Sequence, residues 1–340
     1  MPLDPPASSP AKAMQGLILG AWVAQTITTV ADLGVADALG DGPLHIDELA
    51  DKVGADSDAL RRVLRALISK GIFAQGDDGR YELTERADLL RSDAPVSMAA
   101  LARLVGAPQE REHWSLLTQT VRAGTSPVQA LRGKRFFDYL RDEPEFSAIF
   151  NDAMTGLSAY VDGPLVAAYD FTPFATIVDV AGGHGRLLAA ILASAPNTRG
   201  VLFDLPDVVA EAAPLLRKLG VAQRVRLVAG SFFCDVPPGA DAYVLKHIVH
   251  DWSDDAALQI LRNVRRAAPT GAALLLVETV IPEDTREFIG KIADIEMLLF
   301  NDGRERTAKE YQRLLDEAGF EMTQVFDTET DFSVIEARAR

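Results

Sequence analysis

Ile177-Val178-Asp179-Val180-Ala181-Gly182-Gly183-His184-Gly185 runs from a β-branched stretch through an acid into a glycine cluster, and the apolar run Leu187 to Leu192 follows. The order reads as strand, tight turn, helix, and such a turn lets a ligand approach the backbone at a helix N-terminus. A dinucleotide fingerprint would need a third glycine where Leu188 stands, so a pyrophosphate ligand is not expected. Asp179, just before the glycines, would repel a phosphate and favour a cationic ligand. Taken alone, the turn also fits other α/β nucleotide sites.

The chain downstream repeats the alternation. Strands are expected at Ala175 to Val180, Gly200 to Leu205, Val225 to Ala229, Ala242 to Lys246 and Ala272 to Val280. Helices are expected at Arg186 to Ser194, Val208 to Leu219, Asp254 to Ala267 and Ala308 to Ala318. Apolar strands alternating with helices imply an α/β class with a parallel sheet covered on both faces. Ligands of such sheets sit beyond the carboxyl ends of the strands. Two last strand-like runs, Glu321 to Thr328 and Phe332 to Ala337, would make an antiparallel edge pair.

Upstream, residues 12 to 160 read as mainly helical. A helix Ala21 to Leu39 is followed by one starting at His45 and one over Ala59 to Ile68, where Leu60, Val63, Leu64 and Leu67 keep helical spacing. Gly71 to Ala74 and Tyr81 to Leu83 then form a hairpin across Asp77-Asp78-Gly79-Arg80. Three helices and a hairpin make a winged-helix pattern, but its charge opposes DNA. Between positions 20 and 90 there are thirteen acids against seven bases, and the whole chain of 340 residues carries a net charge of −15. Neither nucleic acid nor an anionic membrane is an expected partner, and no apolar run reaches the length of a membrane span. The single cysteine, Cys234, excludes an internal disulfide and a multi-cysteine zinc site. No metal is expected, and a reducing, cytoplasmic setting is. The expected division is a disordered tail over 1–12, a winged-helix dimerisation domain over 13–95, a helical connector over 96–165 and a catalytic domain over 166–340.

Several strand ends carry chemistry. Asp204, in Phe203-Asp204-Leu205-Pro206, stands about 20 residues after the glycines, where an acid accepts both ribose hydroxyls. NAD and S-adenosylmethionine share that feature. Phe232, in Gly230-Ser231-Phe232-Phe233, is placed to lie on an adenine face or to anchor the loop. Lys246-His247-Ile248-Val249-His250-Asp251-Trp252 follows the fourth strand and holds two of the five histidines. Histidine is a good general base near neutral pH. Glu278 ends the fifth strand, and a buried carboxylate there needs a partner, an imidazole being one candidate. Glu305, before the last helix, is a second candidate.

This ordered set of motifs, with Arg304-Glu305-Arg306-Thr307, resembles the S-adenosylmethionine-dependent O-methyltransferases related to plant caffeate and hydroxyneurosporene methyltransferases. The helical N-terminal half is similar to that family's winged-helix dimerisation domain. The resemblance implies a Rossmann-like sheet, S-adenosylmethionine as cofactor, a homodimer and a small hydroxylated acceptor, aromatic or polyketide-like. It implies His250 as the base, with Glu278 and Glu305 orienting it. Asp179, Gly182, Gly183, Asp204, Leu205, Ser231, Phe232 and Lys246 would hold the cofactor, with Asp251 and Trp252 beside it. Trp114, Met154, Met297 and Asn301 would line the acceptor pocket, joined by Phe150. Two positions depart from the pattern. Ala181 replaces a frequent glycine, which is tolerable if its φ is negative. Ser231 replaces a frequent aspartate and is a weaker, uncharged acceptor.

Methyl transfer needs a deprotonated oxygen. With a phenol pKa near 10 and a histidine near 6.5, full proton transfer is uphill by roughly 5 kcal/mol, and a carboxylate on the far imidazole nitrogen narrows the gap. Rival readings are the same fold using bound S-adenosylmethionine for decarboxylation, hydroxylation or cyclisation, a ligand-sensing winged-helix regulator, and an NAD dehydrogenase.

Overall fold

The structure, a computed structural model, describes residues 9–300 and 302–340 and comprises two compact units. The first unit holds residues up to Glu112 together with Leu140–Leu157, and the second holds His113–Tyr139 and Ser158–Arg340. The residues between 96 and 165 are thus shared between the two units.

In the first unit the chain is helical from Pro10, so the tail expected over residues 1–12 is already ordered by then. Pro10 takes the first helical position, where its missing N–H costs nothing, and the Ser9 hydroxyl accepts from the Lys12 amide. Residues 1–8 lie outside the described residues. The single helix expected over Ala21 to Leu39 is two, Gly20–Asp32 and Val35–Ala38, because Gly34 between them takes φ +65°. Helices Ile46–Val53 and Ser57–Ile68 follow, and then strands β1 (Phe73–Gln75) and β2 (Tyr81–Leu83) pair antiparallel. Leu60, Leu64 and Leu67 are fully buried with Leu49, Phe73 and Tyr81, so the apolar spacing marks the core face. Helix Ala99–Gly106 lies close on Gly20–Asp32: the Thr28 hydroxyl donates to the Ala102 carbonyl at 2.7 Å, and a Cβ on Gly106 would collide with that hydroxyl.

The second unit is built on a seven-stranded sheet. Its strands are β3 (Thr176–Val180), β4 (Arg199–Asp204), β5 (Val225–Ala229), β6 (Ala242–Lys246), β7 (Ala273–Glu278), β10 (Phe320–Asp327) and β11 (Ser333–Ala339). Two short strands, β8 (Val280–Ile281) and β9 (Arg306–Thr307), pair in parallel outside it. The order is β10-β11-β7-β6-β3-β4-β5, with β3 to β7 parallel and β10 and β11 antiparallel. β11 lies inside the sheet and only β10 is at that edge, so β7 is flanked on both sides and buried along its whole length. Chain order reverses between β3 and β6, which makes the crevice beyond their carboxyl ends the expected ligand position. The helix expected over Val208 to Leu219 is two short ones, Pro206–Ala210 and Ala212–Lys218.

Candidate active site

Asp179 stands on β3, registered opposite Leu202 of β4 and Val244 of β6, and is 1 % exposed. Burial pushes its carboxyl up to about 7, against the lowering effect of Lys246. One of its oxygens, Oδ2, has no hydrogen-bond partner. The turn after it is shaped by exclusion: a Cβ on Gly182 would lie 2.4 Å from that oxygen and 2.6 Å from Leu202. Gly183 takes φ +58° and Gly185 φ +82°. Ala181 takes φ +57°, contrary to the negative φ that would have made its methyl harmless. Its amide donates to the Phe203 carbonyl at 2.7 Å, which holds the residue there. An L-residue in this region costs about 1–2 kcal/mol, so Ala181→Gly is expected to stabilise the protein by about 1 kcal/mol. Urea unfolding midpoints would register the gain, and an unchanged or lower midpoint would contradict it.

Asp204 ends β4 with both oxygens already engaged: Oδ2 accepts from the Gly183 amide at 2.8 Å and Oδ1 from its neighbour Leu205 at 2.7 Å. Each oxygen keeps a further lone pair for a ligand hydroxyl. Burial raises this carboxyl too. Beside it the Leu205 side chain is 44 % exposed, an apolar surface next to the acid. The Ser231 hydroxyl accepts from the Phe233 amide at 3.3 Å. Phe232, Phe233 and Trp252 form one aromatic group, Phe233 meeting Trp252 edge to face at 4.7 Å. Lys246 ends β6, and its ammonium donates to Asp162 at 2.8 Å and to the Ser158 hydroxyl at 2.9 Å. Neither partner was visible in the sequence.

The loop after β6 carries the densest charge. His250 Nδ1 is 2.8 Å from Glu305 Oε1 and 3.8 Å from Glu278 Oε2. Its Nε2 is 3.6 Å from Asp251 Oδ1. The imidazole is 12 % exposed, while the Glu278 and Glu305 side chains are buried. Burial alone would lower its pKa, but Glu278, Asp251 and Glu305 outweigh that and raise it to about 10. Desolvation pushes the Glu278 carboxyl up to about 7 and that of Asp251 up to about 6. Glu278 Oε1 accepts from the amides of Ile248 and Val249 and so fixes the loop itself. His247, two residues beyond Leu245, takes φ +55°, and its Nε2 has no partner. Strained residues thus follow the ends of both β3 and β6 at the reversal point.

A second layer supports this loop, and the sequence reading missed it. Arg306 is fully buried and reaches the carbonyls of Val249 and Trp252 at 3.0 Å each, and Asp254 at 2.8 Å. Gly303 passes so close that a Cβ would lie 2.3 Å from the His250 carbonyl, which accepts from the Arg304 amide. The nearest sequence signal was the Gly303-Arg304-Glu305-Arg306 cluster ahead of a helix.

Of the acceptor candidates, Trp114 and Met297 are half-buried in the second unit. The Trp114 indole donates to Glu296 at 2.6 Å, which ties it to the helix Gly290–Phe300 that bears Met297. Phe150 and Met154 are half-buried on the helix Pro144–Ala168, within the first unit. Asn301 lies outside the described residues. No helix among the described residues is long and apolar enough to cross a membrane.

Residues 114–321 match the O-methyltransferase domain family and residues 15–93 the O-methyltransferase dimerisation domain. The phenazine O-methyltransferase of Lysobacter antibioticus is 41 % identical over 322 residues, covering 95 % of this chain and 94 % of that protein. A solved methyltransferase of calicheamicin biosynthesis, in its S-adenosylhomocysteine-bound form, has a TM-score of 0.85 at 33 % identity, covering 99 % of this chain and 100 % of that one. An O-methyltransferase of neocarzinostatin biosynthesis, in complex with S-adenosylmethionine and 2-hydroxy-5-methyl naphthoic acid, has a TM-score of 0.77 at 30 % identity, covering 93 % and 96 %.

Proposed function

The chain belongs to the S-adenosylmethionine-dependent O-methyltransferases, and from that premise we propose that it methylates a hydroxyl of a planar aromatic acceptor with His250 as the general base. The observation that carries this reading is the environment of His250. Glu305 takes Nδ1 at 2.8 Å, which leaves Nε2 as the nitrogen that receives a proton. Glu278, Asp251 and Glu305 together raise the imidazole to about 10, which narrows the gap of roughly 5 kcal/mol to a phenol.

The residues at the reversal point fit the cofactor. An unpartnered buried oxygen of Asp179 suits a cationic ligand, and Gly182 lets the turn pack directly against that carboxyl, where a Cβ would collide. S-adenosylmethionine supplies an electrophilic methyl group on a sulfonium. Asp204 would hold the ribose hydroxyls, Leu205 and Phe232 the adenine faces, and Asp179, Gly183, Ser231, Lys246, Asp251 and Trp252 the rest of the lining. Met297 and Trp114 would shape the acceptor side. The aromatic ligand of the neocarzinostatin relative and the phenazine named for the Lysobacter relative support a flat, apolar acceptor. Incubation with S-adenosylmethionine and a panel of phenols is expected to give a product heavier by one methyl, with S-adenosylhomocysteine formed. Methylation of matched anilines but of no phenol would overturn the hydroxyl assignment.

The same reading includes a homodimer made by the first unit. Met14, Leu17, Ile18 and Trp22 are between 57 % and 77 % exposed on consecutive helices, an apolar face that a second copy would cover. Trp22→Asp is expected to shift the protein to monomer in light scattering at micromolar concentration, and an unchanged dimer mass would exclude this face.

A further inference from the structure

The Lys246 ammonium is not free to meet a ligand alone. It is 14 % exposed and bonded to Asp162, whose side chain is 6 % exposed. Asp162 Oδ2 has no hydrogen-bond partner and stands 3.4 Å from the half-exposed Arg186 guanidinium. Arg186 is the first residue of the helix after the glycine turn, and Lys246 is the last of β6. Asp179 stands on β3, next to β6, with its own unpartnered oxygen, and it feels the charges of both Lys246 and Asp162. Two cations and two carboxyl groups therefore meet at the chain reversal, and one buried oxygen of each carboxyl accepts no hydrogen bond. A buried carboxylate oxygen without a donor is costly unless a ligand supplies one. The ribose acid, Asp204, lies on the opposite side of β3, on β4.

We propose that Asp162 is a positioning residue for the amino-acid head group of the cofactor. Its carboxylate sets the Lys246 and Arg186 cations apart to receive the head-group carboxylate, and its open oxygen, with that of Asp179, receives the head-group ammonium. The inference rests on the S-adenosylmethionine reading and narrows it: recognition is split, adenosine on the β4 side and zwitterion on the β6 side. Asp162 comes from the helix Pro144–Ala168, far outside the strand-end motifs.

Two ligands separate this from a purely structural ion pair. S-adenosylhomocysteine has the head group, and 5′-methylthioadenosine has the same adenosine and thioether without it. In calorimetry, Asp162→Asn is expected to weaken S-adenosylhomocysteine by about tenfold or more and leave methylthioadenosine unchanged. Equal weakening of both, or of neither, would overturn the assignment. Should Asp162→Asn fail to fold, Arg186→Met, a change at a half-exposed position, is expected to show the same selective loss by about threefold or more. Unselective loss there counts equally against it. Wild-type protein that binds neither ligand would instead overturn the cofactor reading itself.

Discussion

His250→Ala is expected to lower turnover by roughly 10²–10⁴-fold while leaving S-adenosylhomocysteine affinity nearly unchanged. The split follows from position. His250 sits on the loop after β6, against Glu305 and Glu278, whereas the glycine turn follows β3 and Asp204 ends β4. The pH profile is the sharper observable. With its pKa raised to about 10, His250 is almost wholly protonated at neutral pH, and its proton-free fraction grows about tenfold per pH unit. kcat/KM should therefore rise with unit slope from about pH 7 and level off near 10, and the residual activity of His250→Ala should lack that limb. Persistence of the limb in the variant would assign the ionisation to the acceptor hydroxyl and remove His250 as the base. The sign for stability is opposite. A folded-state pKa above the ordinary 6.5 means that the ion pairs of His250 stabilise fully below about pH 6.5 and are lost as pH climbs through about 10. Alkaline conditions that deprotonate His250 also loosen its anchorage.

The second large effect is expected at Arg306. Its guanidinium is 1 % exposed and satisfies the Val249 and Trp252 carbonyls on either side of His250 while gripping Asp254. Arg306→Ala leaves those carbonyls unpaired and a cavity where the largest fully buried side chain among the described residues stood. The cost is expected at about 3–5 kcal/mol, read as a drop in the urea midpoint. Lysine should recover only part of it, because a point charge cannot serve carbonyls and carboxylate at once. A loss below about 1 kcal/mol would show that the loop does not depend on this residue.

The contrast between these two residues shows what the sequence could reveal. His250, Glu278, Asp179 and Asp204 were legible because each lies near the carboxyl end of an apolar strand or just beyond it, and a parallel sheet puts ligands at those ends. Arg306 shows in the sequence only as one member of a charged cluster, since its partners lie 52 to 57 residues away. Asp162 and Ser158 were invisible for the same reason, standing 84 and 88 residues from Lys246 inside an apolar helix. Ala181 differs: its type is plain in the sequence, but its positive φ goes with an amide hydrogen bond to the Phe203 carbonyl of the neighbouring strand, about 20 residues on. Helix breaks at Gly34 and Glu211 were likewise hidden inside runs with unbroken apolar spacing. Periodicity records burial and is insensitive to a local change of backbone conformation at one residue.

The interleaving of the two units has a consequence for genetic modularity. A fragment starting at residue 166 would encode every strand of the large sheet, and its aligned motifs would all be present. It would still lack Ser158 and Asp162, the partners of Lys246, and Trp114, the partner of Glu296. Recombination that exchanges halves at that seam would trade away the supports of the catalytic sheet while keeping its signature residues. Viable chimaeras of this chain should therefore join upstream of His113, or carry the second unit's pieces, His113–Tyr139 and Ser158 onward, as one inheritance.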